Sequence, residues 1–327
     1  MNISLGDNIT QIKILRDTFD VAVAKNVIVV GLCISINYIN STLVHTFMKH
    51  EIFTGNPRYI LFIHMVLNDT IQLTIAGLLH ILSYTVFTIN VSFCCLLIMT
   101  VIFTTLNTPL TLAAMAIERY ITICNPLRHS QICSVRKTYI LIGVIWILSA
   151  IQVLPDMFVL LATQPVMFFH SNIFCYRDNL FNYPYMIEKR NVVYIIYLSF
   201  VWLTIVFTYL NIMLVAKALN SDARKARSTI ILHAIQLLMC MLTFAGPFLD
   251  RLLPYVFPMY ILEMRFASYL VIQIMPRFIS PIVYGVRDQT FCSYMKRYLL
   301  CTMFKVKSRI KNVQTERNLE KVPNKFM

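Results

Sequence analysis

Apolar residues fall along this chain in runs of twenty or more, separated by short polar stretches, and the runs are too long for strands. A helix needs about 20 mostly apolar residues to cross the hydrocarbon of a bilayer, because it rises only ~1.5 Å per residue. Seven stretches meet that length, at 22–47, 58–84, 92–122, 138–162, 191–218, 226–250 and 262–286. The expected fold is an all-α membrane protein, a bundle of seven transmembrane helices. An odd number of crossings puts the termini on opposite sides. With the C-terminus inside, the cytoplasmic loops and tail hold 20 Lys and Arg, the outer segments hold 8, and Arg277 lies within the last span. The positive-inside rule therefore places the N-terminus outside the cell.

Beyond the seventh span, Phe291, Tyr294, Met295, Tyr298 and Leu299 share one helical face, with Lys296 and Arg297 on the other. This predicts a short amphipathic eighth helix along the inner leaflet. Cys301 closes it, as a palmitoylation site or as a free cytosolic thiol. The chain thus divides into an extracellular N-terminus (1–21), the spanning domain (22–286), the amphipathic helix (287–301) and a basic cytoplasmic tail (302–327). The first twenty residues carry Asp7, Lys13, Arg16, Asp17 and Asp20 and no apolar run, so the first span is expected to serve as its own insertion signal.

Composition excludes other classes. With 58% hydrophobic and 13% charged residues, a soluble domain of this length could not hide its apolar surface. The net charge of +14 raises the question of nucleic acid, but the basic residues sit in loops and tail. The stretch from Lys305 to Lys325 reads as a juxtamembrane segment facing anionic lipid, so membrane lipids rather than nucleic acid are the expected partners. Of five Asn-x-Ser/Thr sequons, Asn2 and Asn8 are the expected glycosylation sites; Asn40 and Asn68 fall within spans, and Asn90 is the fifth. There is no internal repeat, no His-Glu-x-x-His, no Gly-x-Ser-x-Gly and no P-loop, which argues against a transporter or membrane hydrolase. No catalytic residue, cofactor or metal is expected, and His64, His80 and His233 read as helix contacts.

The third span ends in Glu118-Arg119-Tyr120 and continues Ile121-Thr122-Ile123-Cys124-Asn125-Pro126-Leu127-Arg128-His129, preceded by Leu106-Asn107-Thr108-Pro109-Leu110-Thr111-Leu112-Ala113-Ala114-Met115-Ala116. These runs resemble the fish-type branch of the olfactory receptors, within the rhodopsin-like (class A) G-protein-coupled receptors. Asn40, Asp69, Trp146, Tyr209 and Pro281 with Tyr284 match further landmarks of that family in order, over nearly the whole chain. The resemblance implies a plasma-membrane receptor for a small odorant that activates a heterotrimeric G-protein of the olfactory or stimulatory type. It also implies coupling and switch roles for Glu118, Arg119, Tyr120, Tyr209, Pro281 and Tyr284. An arginine within a span needs a counter-charge, and Glu118 is the nearest candidate for Arg119.

Five of the nine cysteines, Cys33, Cys124, Cys133, Cys240 and Cys292, lie in spans or on the cytosolic side, leaving Cys94 or Cys95 and Cys175 outside. The resemblance selects Cys94, 25 residues before Arg119, and pairs it with Cys175. It further implies a ligand cavity in the outer half of the bundle between spans three, five, six and seven. Ile98, Ile102, Thr105, Tyr194, Tyr197, Phe244, Phe248, Tyr269 and Gln273 map onto its lining. Charges of both signs near the outer face, among them Asp156, Arg177, Asp178, Lys189, Arg190, Asp250, Arg251, Glu263 and Arg265, read either as solvated loop structure or as a rim suited to a water-borne, charged ligand. An amine ligand is disfavoured, since Val101 stands where amine receptors place an Asp. A non-olfactory class A receptor for another small molecule or a peptide would share the mechanism.

Two departures stand out. The family's Asn-Pro-x-x-Tyr is here Ser280-Pro281-Ile282-Val283-Tyr284, and Arg277 lies one helical turn before the proline. Opposite charges at matching depth predict that Arg277 pairs with Asp69, with Thr108 completing the set, in place of a sodium ion. Span six has Cys240-Met241-Leu242-Thr243 in place of the tryptophan switch of the wider superfamily.

Overall fold

The computed structural model describes residues 18–181, 183–218, 252–253 and 255–279, with scattered positions between 235 and 249 and between 291 and 298. Five helices among the described residues are long and apolar enough to cross a membrane. They are α1 (Phe19–Lys49), α2 (Pro57–Thr85), α3 (Val91–Cys124), α4 (Val135–Thr163) and α5 (Pro184–Ala218). Most of the expected sixth span and the end of the seventh, with Pro281 and Tyr284, lie outside the described residues, as do Asn2, Asn8 and Cys301.

Local chemistry starts the helices. The Asn56 side chain accepts from the Arg58 amide at 3.1 Å, with Pro57 as the first helical residue, and Asn90 accepts from the Ser92 amide at 2.9 Å. The fifth sequon's asparagine is therefore a helix cap. Along α4, Ile140, Val144, Ile147, Ile151, Leu154 and Phe158 are exposed on the protein surface. Such a face would aggregate in water and is at no disadvantage in lipid.

Because lipid is as apolar as leucine, close packing and buried polar bridges hold the helices together. Between α1 and α2, Asn40 donates to the Thr70 hydroxyl and Asn37 to the Thr74 hydroxyl, each at 3.1 Å. A Cβ at Gly77 would sit 2.7 Å from the Cys33 sulfur, so any larger residue would have to turn that side chain aside. Apolar side chains gather in an inner cluster around Phe53, Phe62, Met115 and Phe291, and in an outer one around Ile89, Cys94, Leu160 and Phe181.

Two corrections to the expected architecture arise at the outer end. Helix α5 begins at Pro184, seven residues before the expected 191. The charges that marked 189–190 as loop are accommodated in the helix: Lys189 pairs with Asp156 at 2.7 Å, and Arg190 is buried. The second outer loop also adds a two-residue antiparallel ribbon to an otherwise helical fold, β1 (Ile89–Asn90) pairing with β2 (Asn172–Ile173).

Helix α5 is anchored beside two prolines of its neighbours. Pro109 in α3 and Pro155 in α4 lack an amide N–H and disturb the carbonyls of the preceding turn. In each case a side chain of α5 donates to the carbonyl three residues before the proline: Tyr197 Oη to Leu106 at 2.7 Å, and Lys189 Nζ to Gln152 at 3.1 Å. Tyr197→Phe is expected to destabilise the receptor by about 1 kcal/mol, read as a lower thermal midpoint in detergent; an unchanged midpoint would show the bond to be idle.

Candidate functional site

At the inner end of α3, Glu118 is buried and held by partners outside the Glu-Arg-Tyr triplet. Thr122 donates to its Oε1 at 3.0 Å, and His129 Nε2 lies 3.3 Å from the same oxygen. The short helix Pro126–Ile132 brings His129 back beneath α3, its first residue a proline that starts the turn. Beside it, burial first and the Glu118 carboxylate second push the Cys133 thiol up, against the opposing pull of Lys137, which disfavours its thiolate. Arg119 is half-buried, the Tyr120 ring faces Phe207 of α5 with centroids 6.0 Å apart, and Tyr209 packs on the inner apolar cluster. The triplet, its flanking histidine and α5 thus converge at one end of the bundle.

Polar side chains join the helices within their apolar stretches. The Trp146 indole donates to His64 Nε2 at 2.7 Å, and His64 Nδ1 lies 3.2 Å from the Thr111 hydroxyl, so one ring ties α2, α3 and α4. With Nε2 accepting, the neutral ring carries its proton on Nδ1 and donates it to Thr111, whose own proton goes to the Asn107 carbonyl at 2.9 Å. Ser149 donates to Asn107 Oδ1 at 2.6 Å, and Gln72 to Thr105 at 2.6 Å.

Asp69 and Arg277, the two charges expected at matching depth, are both 4% exposed. In the seventh span the α-helix Ile261–Tyr269 passes into a π turn, Leu270–Ile274, packed against α2. A π turn widens the backbone and loosens its carbonyls. Arg277 Nη1 donates to the carbonyls of Ile272 at 3.1 Å and Gln273 at 2.5 Å. Thr108 donates to the Thr104 carbonyl of its own helix at 3.2 Å.

In the outer half, Cys94 and Cys175 form the expected disulfide, joining α3 to the second outer loop next to the β-ribbon. The residues mapped to a ligand cavity are dispersed. Ile98 is buried in the outer cluster with Ile102 packed on it, Thr105 faces α2 through Gln72, and Tyr194 accepts from Arg177 Nη1 at 2.6 Å. Tyr197 reaches α3, and the Gln273 carbonyl receives Arg277. Phe244 and Phe248 lie outside the described residues. Tyr269 stacks on His80, with centroids 4.8 Å apart at 16°, and lines a cavity of about 610 Å³. That cavity lies between the outer ends of α1, α2 and the seventh span.

The pattern of an Asn in α1, an Asp in α2, the Glu-Arg-Tyr triplet and the loop disulfide, on five apolar helices, agrees with one known family. The 7 transmembrane receptor (rhodopsin family) matches residues 39–284. This chain belongs to that receptor family. The match runs from just before Asn40 to Tyr284, so the rhodopsin-type landmarks lie inside it, while Asn2, Asn8 and Cys301 lie beyond it. The chain is also similar to "Odorant receptor 131-2" of Danio rerio, 30% identical over 289 residues, which cover 86% of this chain and 87% of the relative. A member of the rhodopsin receptor family is a receptor and not an enzyme.

For this rhodopsin-family receptor, the contact of His129 with Glu118, that of Lys189 with Asp156, and the π turn were not read from the sequence. Pro109 and Pro155 inside apolar runs carried a signal for the α5 anchors, since each announces loosened carbonyls in search of donors. Nothing in the residue pattern announces the π turn.

Proposed function

We propose that this chain is an odorant receptor of the plasma membrane, with its N-terminus outside, seven spans and an eighth helix on the inner leaflet. A small, water-borne ligand binds in the outer half of the bundle. The single observation that carries the odorant reading is the similarity, over 86% of the chain, to a fish odorant receptor. Ligand binding stabilises a conformer whose inner face opens beside Arg119 and Tyr209, a population shift driven by differential affinity. The opened face receives a heterotrimeric G-protein of the olfactory or stimulatory type. Support for that end comes from Glu118, Arg119, Tyr120 and Tyr209 lying together on α3 and α5. Pro281 and Tyr284 complete the switch on span seven, Asn2 and Asn8 carry glycans, and Cys301 carries a lipid.

The test is intracellular cAMP in cells expressing the chain with an olfactory-type or stimulatory G-protein, challenged with pooled amino acids, bile acids, nucleotides and small odorants. A ligand-dependent rise is expected, and Arg119→Ala is expected to abolish it at unchanged surface display. Silence of a displayed receptor across all pools, or a response that survives Arg119→Ala, would refute this reading.

Within the membrane, Asp69 and Arg277 form a pair that takes the place of a bound sodium ion. Burial of both groups and the packing of the π turn on α2 support it. Exchanging Na⁺ for a large organic cation is therefore expected to leave the thermal midpoint of the purified receptor unchanged. Arg277→Gln, which strands a buried carboxylate, is expected to destabilise by about 3 kcal/mol. A strong, specific dependence on sodium would sink the pair.

A further inference from the structure

We propose that the cavity between α1, α2 and the start of the seventh span is a second binding site, for a small aromatic carboxylate. It goes beyond the ligand pocket of spans three, five, six and seven, with which it shares only Tyr269. Its volume of about 610 Å³ falls in the range of sites that enclose whole small molecules.

The lining states the chemistry. Phe87, Phe174, Phe266 and Tyr269 line the space, and among the described residues no carboxylate does. Arg265 stands in the wall, exposed, and no hydrogen bond or ion pair among the described residues holds its guanidinium. Ser83 and Thr85 donate their hydroxyl protons to carbonyls of α2 itself, at 2.7 and 3.0 Å. The charged donor facing the cavity is thus a planar fork suited to a carboxylate, at the rim of an aromatic chamber suited to a ring. Rim charges elsewhere differ, since Lys189 is paired with Asp156 and Arg177 is bound to Tyr194.

Backbone geometry at Phe87 points the same way by a separate route. This residue follows α2 with φ at 65°, the left-handed conformation that glycine adopts freely and bulky residues rarely adopt. Its amide returns to the Leu82 carbonyl at 3.0 Å, which closes the helix end, a task glycine performs without strain. The ring is what glycine would lack. It packs against Phe174 of the second outer loop, with centroids 5.3 Å apart, and forms cavity wall. A strained side chain that builds a binding wall is strain kept for function.

The experiment uses purified full-length receptor, with 3-phenylpropanoate and its neutral amide as probes and thermal unfolding as readout. No G-protein is involved, so the result does not depend on coupling. The acid is expected to raise the thermal midpoint by several degrees at saturation, and the amide to raise it far less. Arg265→Gln is expected to remove the acid's shift without changing the ligand-free midpoint. Phe87→Gly is expected to keep or raise the ligand-free midpoint while weakening the acid about tenfold or more, as loss of a ring contact and of site shape requires. Equal shifts from acid and amide, a shift that persists in Arg265→Gln, or no shift from the acid would each overturn the proposal.

Discussion

Serine in place of Cys94 is expected to remove most receptor from the cell surface and to abolish any ligand response of the remainder. The bond closes 81 residues of separation, spanning nearly all of α3, the short helix Pro126–Ile132, all of α4 and the first part of the second outer loop. For a free chain, cross-linking a loop of that length corresponds to about 4 to 5 kcal/mol of entropy removed from the unfolded state. Here α3 and α4 stay inserted when the outer loop opens, so about 2 to 3 kcal/mol is the better expectation. Much of the damage is local. Without the bond the loop carrying β2, Phe174 and Phe181 loses its tether, and with it the wall that Phe174 and Phe87 form together. Cys175→Ser and the double variant should match Cys94→Ser, because the three lose one and the same bond. Cys95→Ser is the control, since Cys95 is a buried free thiol and should be nearly silent. Surface labelling of tagged receptor reads the result. A Cys94→Ser receptor displayed and responding at normal levels would exclude a structural role for the bond.

The second large effect is expected at His64. Alanine there removes the acceptor of the Trp146 indole and the donor to Thr111, and it opens a hole where three helices meet. Trp146 is half exposed toward lipid, where no water can replace the lost partner. An unsatisfied donor together with the cavity amounts to about 3 kcal/mol. Trp146→Phe keeps an aromatic ring on the half-exposed side and loses the N–H with a small part of the ring, so it should lower stability by about 1 kcal/mol. The double variant should be less impaired than the sum of the two, with a coupling energy of about 1 kcal/mol, because one bond is lost in both. Thermal midpoints in a single detergent measure all three. Strict additivity would mean that the indole and the imidazole act independently.

Much of this receptor was legible before any coordinates. The helices α1 to α5 follow from apolar runs, since a bilayer admits few spanning structures and helix length is set by membrane thickness. Cys94 and Cys175 were paired through the family resemblance, and the structure forms that bond. The start of α5 was misplaced because Lys189 and Arg190 read as a loop signal, whereas Asp156 lies 33 residues away in sequence and 2.7 Å away in space. Glu118 was matched to its neighbour Arg119, and the structure adds Thr122 and, on a short return helix, His129 at its Oε1. Tyr269 was expected to line a cavity between spans three, five, six and seven; the cavity it lines between α1, α2 and the start of the seventh span is one that sequence reasoning did not name.

Taken by itself, the sequence determined what depends on residue type and near-neighbour spacing: the apolar runs, the charge bias that orients them, and the triplet at the end of α3. The tertiary structure alone decided which helix faces meet. That choice set the partners of His64, Glu118 and Lys189, the carbonyls of α3 and α4 that receive Tyr197 and Lys189, and the lining of the cavity beside α1 and α2. The physical reason is the solvent. In lipid an apolar face carries no information about its neighbour, so helix pairing is selected by a few polar bridges and close approaches between residues far apart in the chain.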